Sequence, residues 1–95
     1  MRFLDCHLKT EDQVWQEILS TLHDNYPNKF EYRIISGRSG ILKDKVADWL
    51  TRGALSRFVL DWTMDNPGSY IIRFKFPEKY EIIKTNTGKY KIIEK

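Results

Sequence analysis

The chain has 95 residues, of which 41% are hydrophobic and 31% charged, a composition typical of one globular domain and unlike that of a disordered chain. It lacks an apolar run long enough to cross a membrane, and its first residues lack the apolar stretch of a secretory signal. The single cysteine, Cys6, excludes an internal disulfide. We therefore expect a cytoplasmic protein with a single domain over residues 1–95, present as a monomer or homodimer.

The first predicted elements are a strand and an amphipathic helix. Residues 2–8 alternate apolar and polar side chains, which is typical of a short strand. Thr10, with Gln13 three positions later, has the sequence pattern of a helix-capping box. Apolar residues then recur at helical spacing, namely Val14, Ile18 and Leu22. This helix ends before Pro27, because a residue that precedes proline is displaced from the helical conformation.

A second strand and a second helix follow. Residues 30–36 have the β-branched and aromatic content of a strand, and residues 42–51 return to helical spacing, with Gly53 as a C-cap. The next segment, 54–66, is ambiguous. Its apolar residues fit a strand that turns into the following one, but residues 54–64 fit a helix almost equally well. The β-branched and aromatic content favours the strand.

The C-terminal quarter is a run of strands. Residues 70–76, 80–85 and 89–94 alternate apolar and polar side chains, and turn residues including Gly88 separate them. The predicted fold class is therefore α+β. We expect two helices packed on a mainly antiparallel sheet that ends in a C-terminal β-meander, in the order β-α-β-α-β-β-β-β.

Positive charge is concentrated in this C-terminal quarter. Residues 69–95 carry seven Lys or Arg and three Glu, a balance of +4, against −1 for residues 1–68. The residues expected to form a nucleic-acid-binding field on one face of the meander are Arg73, Lys75, Lys89, Tyr90 and Lys91. Cations that release counterions and aromatic rings that stack on bases suit such a surface. The alternative is a solvated face whose lysines prevent edge-to-edge pairing.

The glycine-rich loop before the second helix is another candidate site. Its predicted anion-binding residues are Gly37, Ser39 and Gly40, with Arg38 and Lys43 as cationic flanks. Backbone N–H groups at the beginning of a helix favour a phosphate. The G-x-x-G spacing resembles the loop of the KH family, which clamps a nucleic-acid backbone, although in that family the loop follows a helix instead of a strand. A plain connection is the simpler interpretation.

These two patches favour a small non-catalytic regulatory protein that binds nucleic acid, with RNA or single strands preferred. The first alternative is a protein-binding inhibitor or regulator, of the type found in phages and mobile elements, that covers a partner's surface. Its contact is the acidic helix face with Glu11, Asp12 and Glu17, or a free sheet edge. The second alternative is a winged helix-turn-helix DNA binder, which requires residues 54–64 to be helical.

The sequence contains no recognisable pattern for catalysis or metal binding. Cys6 and His7 are adjacent, so on a strand they point to opposite faces and cannot form a nucleophile–base pair. The residues Asp5, His7, His23 and Asp24 lack the spacing of a metal site. We therefore expect a protein that is not an enzyme and has no cofactor, in which Cys6 is a buried structural thiol.

Overall fold

The computed structural model describes residues 2–37 and 40–95. Its helices and strands follow the predicted order, with one short 3-10 helix added before the third strand. They are β1 (Arg2–Asp5), α1 (Glu11–Asn25), β2 (Phe30–Ile35), α2 (Ile41–Thr51), the 3-10 helix (Leu55–Phe58), β3 (Val59–Asn66), β4 (Ser69–Phe74), β5 (Tyr80–Lys84) and β6 (Tyr90–Glu94). The predicted α+β class is confirmed.

The strands divide between two sheets. A four-stranded sheet has the order β1-β2-β4-β3, in which β1 and β2 are parallel and the other neighbours antiparallel, while β5 and β6 form a separate hairpin. The predicted meander is thus interrupted after β4. The Lys75 amide donates to the Phe58 carbonyl (2.8 Å), and Pro77, which has no N–H to donate, follows two residues later. The chain therefore leaves the first sheet before β5 begins.

Helix α1 begins with the predicted cap. The Gln13 amide donates to the Thr10 hydroxyl oxygen (3.2 Å), and the Thr10 amide donates to the Gln13 side-chain oxygen (2.9 Å), which completes the capping box. The apolar stripe of this helix is fully buried and consists of Val14, Ile18, Leu19 and Leu22. Local sequence signals are thus sufficient to place the beginning and the buried face of α1.

The core lies between the helices and one face of the four-stranded sheet. The buried residues of the sheet strands are Leu4, Tyr32, Ile34, Tyr70, Ile72 and Phe74. Four half-buried hairpin residues pack against this core, namely Tyr80, Ile82, Tyr90 and Ile92. Gln16 of α1 also holds the hairpin, because its side-chain amide donates to the Tyr90 carbonyl (3.1 Å) and accepts from the Tyr90 amide (2.7 Å). Helix α1 therefore anchors both sheets.

The ambiguous segment 54–66 forms a strand with one helical turn in front of it. Leu55 and Phe58 are both buried and lie three positions apart, which is the spacing of a 3-10 turn. β3 then pairs with β4, with an irregular register near both of its ends. The helical alternative for residues 54–64 is wrong, so the winged helix-turn-helix interpretation lacks its recognition helix.

Candidate nucleic-acid interface

The fold divides the predicted cationic field. Arg73 lies on β4, on the exposed face of the four-stranded sheet, whereas Lys91 lies on β6 and Lys89 directly precedes it. Lys75 follows β4 and is half-buried. These cations therefore do not share one sheet surface. The prediction of a single cationic field assumed a continuous meander, and the strands instead divide between two sheets. The binding role of each residue stays a prediction.

Ion pairs neutralise two arginines on the exposed face of the four-stranded sheet. Arg73 donates from Nε to one carboxylate oxygen of Asp61 (2.8 Å) and from a terminal nitrogen to the other. Arg33 pairs with Asp65. The hydrogen bond from Arg73 holds the pKa of Asp61 below its ordinary value, so this carboxylate remains charged and keeps its partner. Neither arginine reaches a phosphate without first breaking such a pair.

The hairpin keeps the rest of the predicted field together. Lys91 is exposed and has no ion-pair partner among the described residues. Lys89 lies 3.5 Å from an Asp12 carboxylate oxygen, but the two side chains are 64% and 66% exposed, so this pair contributes little stability and exchanges readily. Lys84 places its ammonium 5.8 Å from the ring centre of Tyr90. Lys89 and Lys91 are thus exposed on the hairpin, whereas Tyr90 between them is half-buried and packs against the core.

The predicted anion loop is described only in part, since Arg38 and Ser39 lie outside the described residues. The Gly37 amide donates to a carbonyl of the turn before β4 (3.1 Å), so it is not available to a ligand. Gly40 precedes α2 with a φ of 104°, in the region that favours glycine, and Lys43 lies in the first turn of that helix. The loop follows strand β2, which preserves its difference from the KH arrangement. Its anion-binding role stays a prediction.

Lysines from other parts of the chain lie beside the acidic face of α1. Ion pairs join Glu17 to Lys9 (2.5 Å), Asp12 to Lys89 (3.5 Å) and Glu11 to Lys45 (3.7 Å). The sequence pattern showed an acidic face without basic residues, because all three lysines come from other parts of the chain. This face attracts a basic partner less than its composition indicates.

A cleft of about 190 Å³ opens between the end of α1, the 3-10 helix and the beginning of β5. Its walls are mainly aromatic and aliphatic and consist of Leu22, Tyr26, Phe58, Phe76, Tyr80 and Ile82, with His23 and Glu81 completing the lining. Phe76 meets Tyr26 and Phe58 edge-on, with ring centres 5.3 and 6.4 Å apart. These contacts fix the orientation of the rings. We call this site the aromatic cleft.

Cations lie over two rings of the aromatic cleft. The guanidinium carbon of Arg57 is 4.7 Å from the ring centre of Tyr80, and the ammonium of Lys95 is 5.9 Å from that of Tyr26. The Lys95 amide donates to the Lys79 carbonyl (2.8 Å), which keeps these two lysines adjacent. All three cations are exposed. The cleft thus combines flat apolar walls with exposed positive charge.

No protein-family model matches the chain, and neither a curated protein nor a solved structure matches it. The functional inference therefore rests on the chemistry of the described surface. On that surface, three exposed cations without a carboxylate partner among the described residues lie over aromatic rings at the hairpin and the aromatic cleft, namely Lys84, Arg57 and Lys95. The four-stranded sheet also has such a contact, in which the guanidinium carbon of the exposed Arg2 is 5.8 Å from the ring centre of Phe30.

Sequence reasoning did not find the aromatic cleft. Arg57, Tyr26 and Lys95 belonged to no predicted site. No periodic pattern connects these residues, because they meet only when the hairpin folds back against the end of α1. The available signal was compositional, namely the basic and aromatic content of the C-terminal quarter.

The described residues contain no group of three or more His, Cys, Asp or Glu side chains placed to hold a metal ion. Within the same ranges, no helix is long and apolar enough to cross a membrane. Cys6 is buried, as predicted, and burial raises the pKa of its thiol to about 11. This thiol remains protonated at neutral pH and is a poor nucleophile.

Proposed function

We propose that this protein binds single-stranded nucleic acid through the β5–β6 hairpin and the cations beside it. The observation that supports this most is the contact of exposed cations with aromatic rings at one end of the hairpin: Arg57 lies over Tyr80, and Lys95 over Tyr26. Every unit of a single strand carries a phosphate and a planar base, so a surface that binds it combines positive charge with aromatic rings.

Affinity comes mainly from the phosphates. Residues 79–95 contain five Lys and two Glu, five minus two giving a net charge of +3. The net charge of this segment therefore equals that of the whole chain. Lys91 and Lys95 are exposed and free of ion pairs in the described structure, so neither must leave a carboxylate before it contacts a phosphate. Binding therefore releases counterions and weakens with salt.

The test compares two double variants that each remove two positive charges. Fluorescence anisotropy with labelled single-stranded RNA, duplex RNA and duplex DNA is measured at several salt concentrations. Lys91→Gln with Lys95→Gln removes hairpin cations, and we expect the slope of log K against log salt to fall by roughly 1.4, about 0.7 for each lost single-strand phosphate contact. Arg33→Gln with Arg73→Gln removes the paired sheet-face cations and leaves the slope unchanged.

The two double variants separate a local site from a general charge effect. Equal weakening by both means that net charge alone attracts the nucleic acid and that the hairpin is not the site. Binding that is insensitive to salt, or absent for all three nucleic acids, rejects the proposed function. Thermal unfolding of each variant confirms that the comparison is made between folded proteins.

A second candidate function is binding of a partner protein, as expected for an inhibitor or regulator. β3 lies at the edge of the four-stranded sheet, and three of its apolar side chains are exposed: Leu60 by 46%, Trp62 by 36% and Met64 by 41%. An extended segment of a partner adds to such an edge through main-chain hydrogen bonds, and apolar side chains of the partner would cover these three exposed side chains. The acidic face of α1, with lysines beside it, is a weaker contact.

A pull-down with and without nuclease tests this second candidate. A stoichiometric partner that survives nuclease and is lost on Met64→Lys supports it, because a lysine on an edge strand opposes pairing. Recovery of no stoichiometric protein under either condition contradicts it.

A further inference from the structure

We propose that the aromatic cleft holds one unstacked base of the bound strand, with the adjoining phosphate on Arg57 or Lys95. This inference rests on the proposed function, since the base arrives as part of a strand that the hairpin binds. It adds a specific base site to a surface that otherwise recognises only the sugar-phosphate backbone.

The size of the cleft agrees with a single ring system. Its volume of about 190 Å³ is below the range of pockets that take drug-sized molecules, which begins at roughly 300 Å³. The cleft is therefore too small for several stacked bases and admits one flat group. A base can enter only when it is not paired or stacked in a duplex, which favours single strands over duplexes.

The walls have the chemistry that a base requires. Tyr26 is 57% exposed, and Tyr80 is half-buried, so both rings reach solvent while Phe58 lies beneath them in the core. Base–aromatic stacking is tolerant of base identity, because every base has a flat π surface. We therefore expect the cleft to accept different bases and to discriminate mainly between a base and no base.

Charge around the cleft suits a phosphate. Arg57 and Lys95 lie over the rings of its walls. Glu81 completes the lining of the cleft, so one carboxylate lies near these two cations. The two exposed cations over the rings outnumber the one carboxylate of the lining, which leaves the cleft a positive balance that favours a phosphate.

The decisive comparison uses the unmodified protein and two ligands of equal charge. One is a labelled single strand of about eight nucleotides, within the site sizes of small single-strand binders, and the other is the same backbone without bases. We expect the strand with bases to bind roughly tenfold more tightly, because the stacking of one base on an aromatic ring contributes about that factor to the affinity. Because both ligands carry the same phosphates, counterion release cancels from the ratio.

Two variants assign the difference to the cleft. Tyr80→Leu keeps an apolar side chain but removes the ring, and we expect the base-dependent ratio to fall close to one. Tyr80→Phe keeps the ring and preserves the ratio, which distinguishes stacking from any role of the hydroxyl. The thermal unfolding midpoint of each variant is measured alongside to show that the variant is folded. The comparison of the two ligands on the unmodified protein stays valid even if a variant does not fold.

The outcomes separate this inference from the proposed function. If both ligands bind equally and both weaken in the Lys91 and Lys95 double variant, the base site is rejected while backbone binding stands. If neither ligand binds, the proposed function is rejected and the base site with it. A base-dependent ratio that survives Tyr80→Leu overturns the assignment to this cleft, because the base then stacks elsewhere.

Discussion

The exposed face of the four-stranded sheet and the β5–β6 hairpin both carry several charges, but they differ in what those charges contact. On the sheet face, Arg33 and Arg73 are each held by an aspartate. On the hairpin side, Lys84, Lys95 and the neighbouring Arg57 lie over aromatic rings instead. A cation on a ring keeps its full charge, whereas a cation on a carboxylate loses most of its field. The two regions thus differ in the pairing of their charges more than in the number of charges, and this difference is the reason for placing the proposed binding surface on the hairpin.

The two regions also differ in how firmly the core holds them. Ile72 and Phe74 of β4 are completely buried, whereas the inward side chains of the hairpin, such as Ile82 and Ile92, are only half-buried. Regions with fewer buried apolar contacts open at a lower free energy than the core does. We therefore expect the hairpin to open separately, while the four-stranded sheet opens only with global unfolding.

The largest expected effect comes from the core of the four-stranded sheet. Phe74 is completely buried, and its ring is 5.3 Å from that of Phe30. Phe74→Ala should lower the free energy of unfolding by about 3–5 kcal/mol, since the truncation leaves a cavity. The matched change in the hairpin, Ile92→Ala, should cost clearly less because Ile92 is already half-exposed. Urea denaturation measures both, and equal losses would mean that the hairpin is as integral to the core as β4 is.

Sequence reasoning succeeded where the determinants are local. The capping box of Thr10 and Gln13 joins residues three positions apart, and the turn at Gly88, with its φ of 85°, is equally local. The class and order of the elements follow from such signals. The assignment of β4 and β5 to different sheets does not follow from them, because it depends on strand pairing: β4 pairs with β2 and β3, whereas β5 pairs with β6.

The candidate site was less predictable than the fold for the same reason. Lys89, Tyr90 and Lys91 lie on the same hairpin because they are consecutive in the sequence. Arg73 was grouped with them on charge alone, but it lies on β4 of the other sheet and pairs with Asp61 of β3, which composition cannot show. Charge counts predict where binding is possible, and only tertiary contacts decide which charges remain available.

An intermediate effect is expected from the bridge between α1 and the hairpin. Gln16→Leu removes both hydrogen bonds to the Tyr90 backbone and leaves two polar groups of β6 without this partner. We expect a loss of about 1–3 kcal/mol, concentrated in faster hydrogen exchange of the β5 and β6 amides. Hydrogen exchange resolved by residue measures it.

A matched variant and a buried thiol control the Gln16 experiment. Gln13→Leu alters the same side-chain type on the same helix, but it affects the cap of α1 and should not accelerate exchange in the hairpin. Alkylation of the buried Cys6 reports opening near β1, and it should remain slow in Gln16→Leu. Simultaneous acceleration of the hairpin amides and of Cys6 alkylation would show that the two regions unfold together.

The smallest expected effect concerns the ion pair between Arg73 and Asp61 on the exposed face of the four-stranded sheet. The hydrogen bond from Arg73 lowers the pKa of Asp61 in the folded protein below its value of about 3.9 in an unfolded chain. The pair therefore contributes stability above about pH 4, and this contribution disappears as the pH falls through the lower folded-state pKa. Asp61→Asn should be slightly less stable than the unmodified protein at neutral pH, and the difference should vanish in acid.

Carboxyl chemical shifts followed by NMR during an acid titration test this pair directly. Asp61 should titrate below its ordinary range, and Arg73→Gln should return its pKa toward that range, since the lowering depends mainly on the Arg73 hydrogen bond. If Asp61 titrates normally in the unmodified protein, the pair does not form in solution and Arg73 is free. The sheet face would then present available cations like those of the hairpin, and the Arg33 and Arg73 double variant would weaken nucleic-acid binding as well.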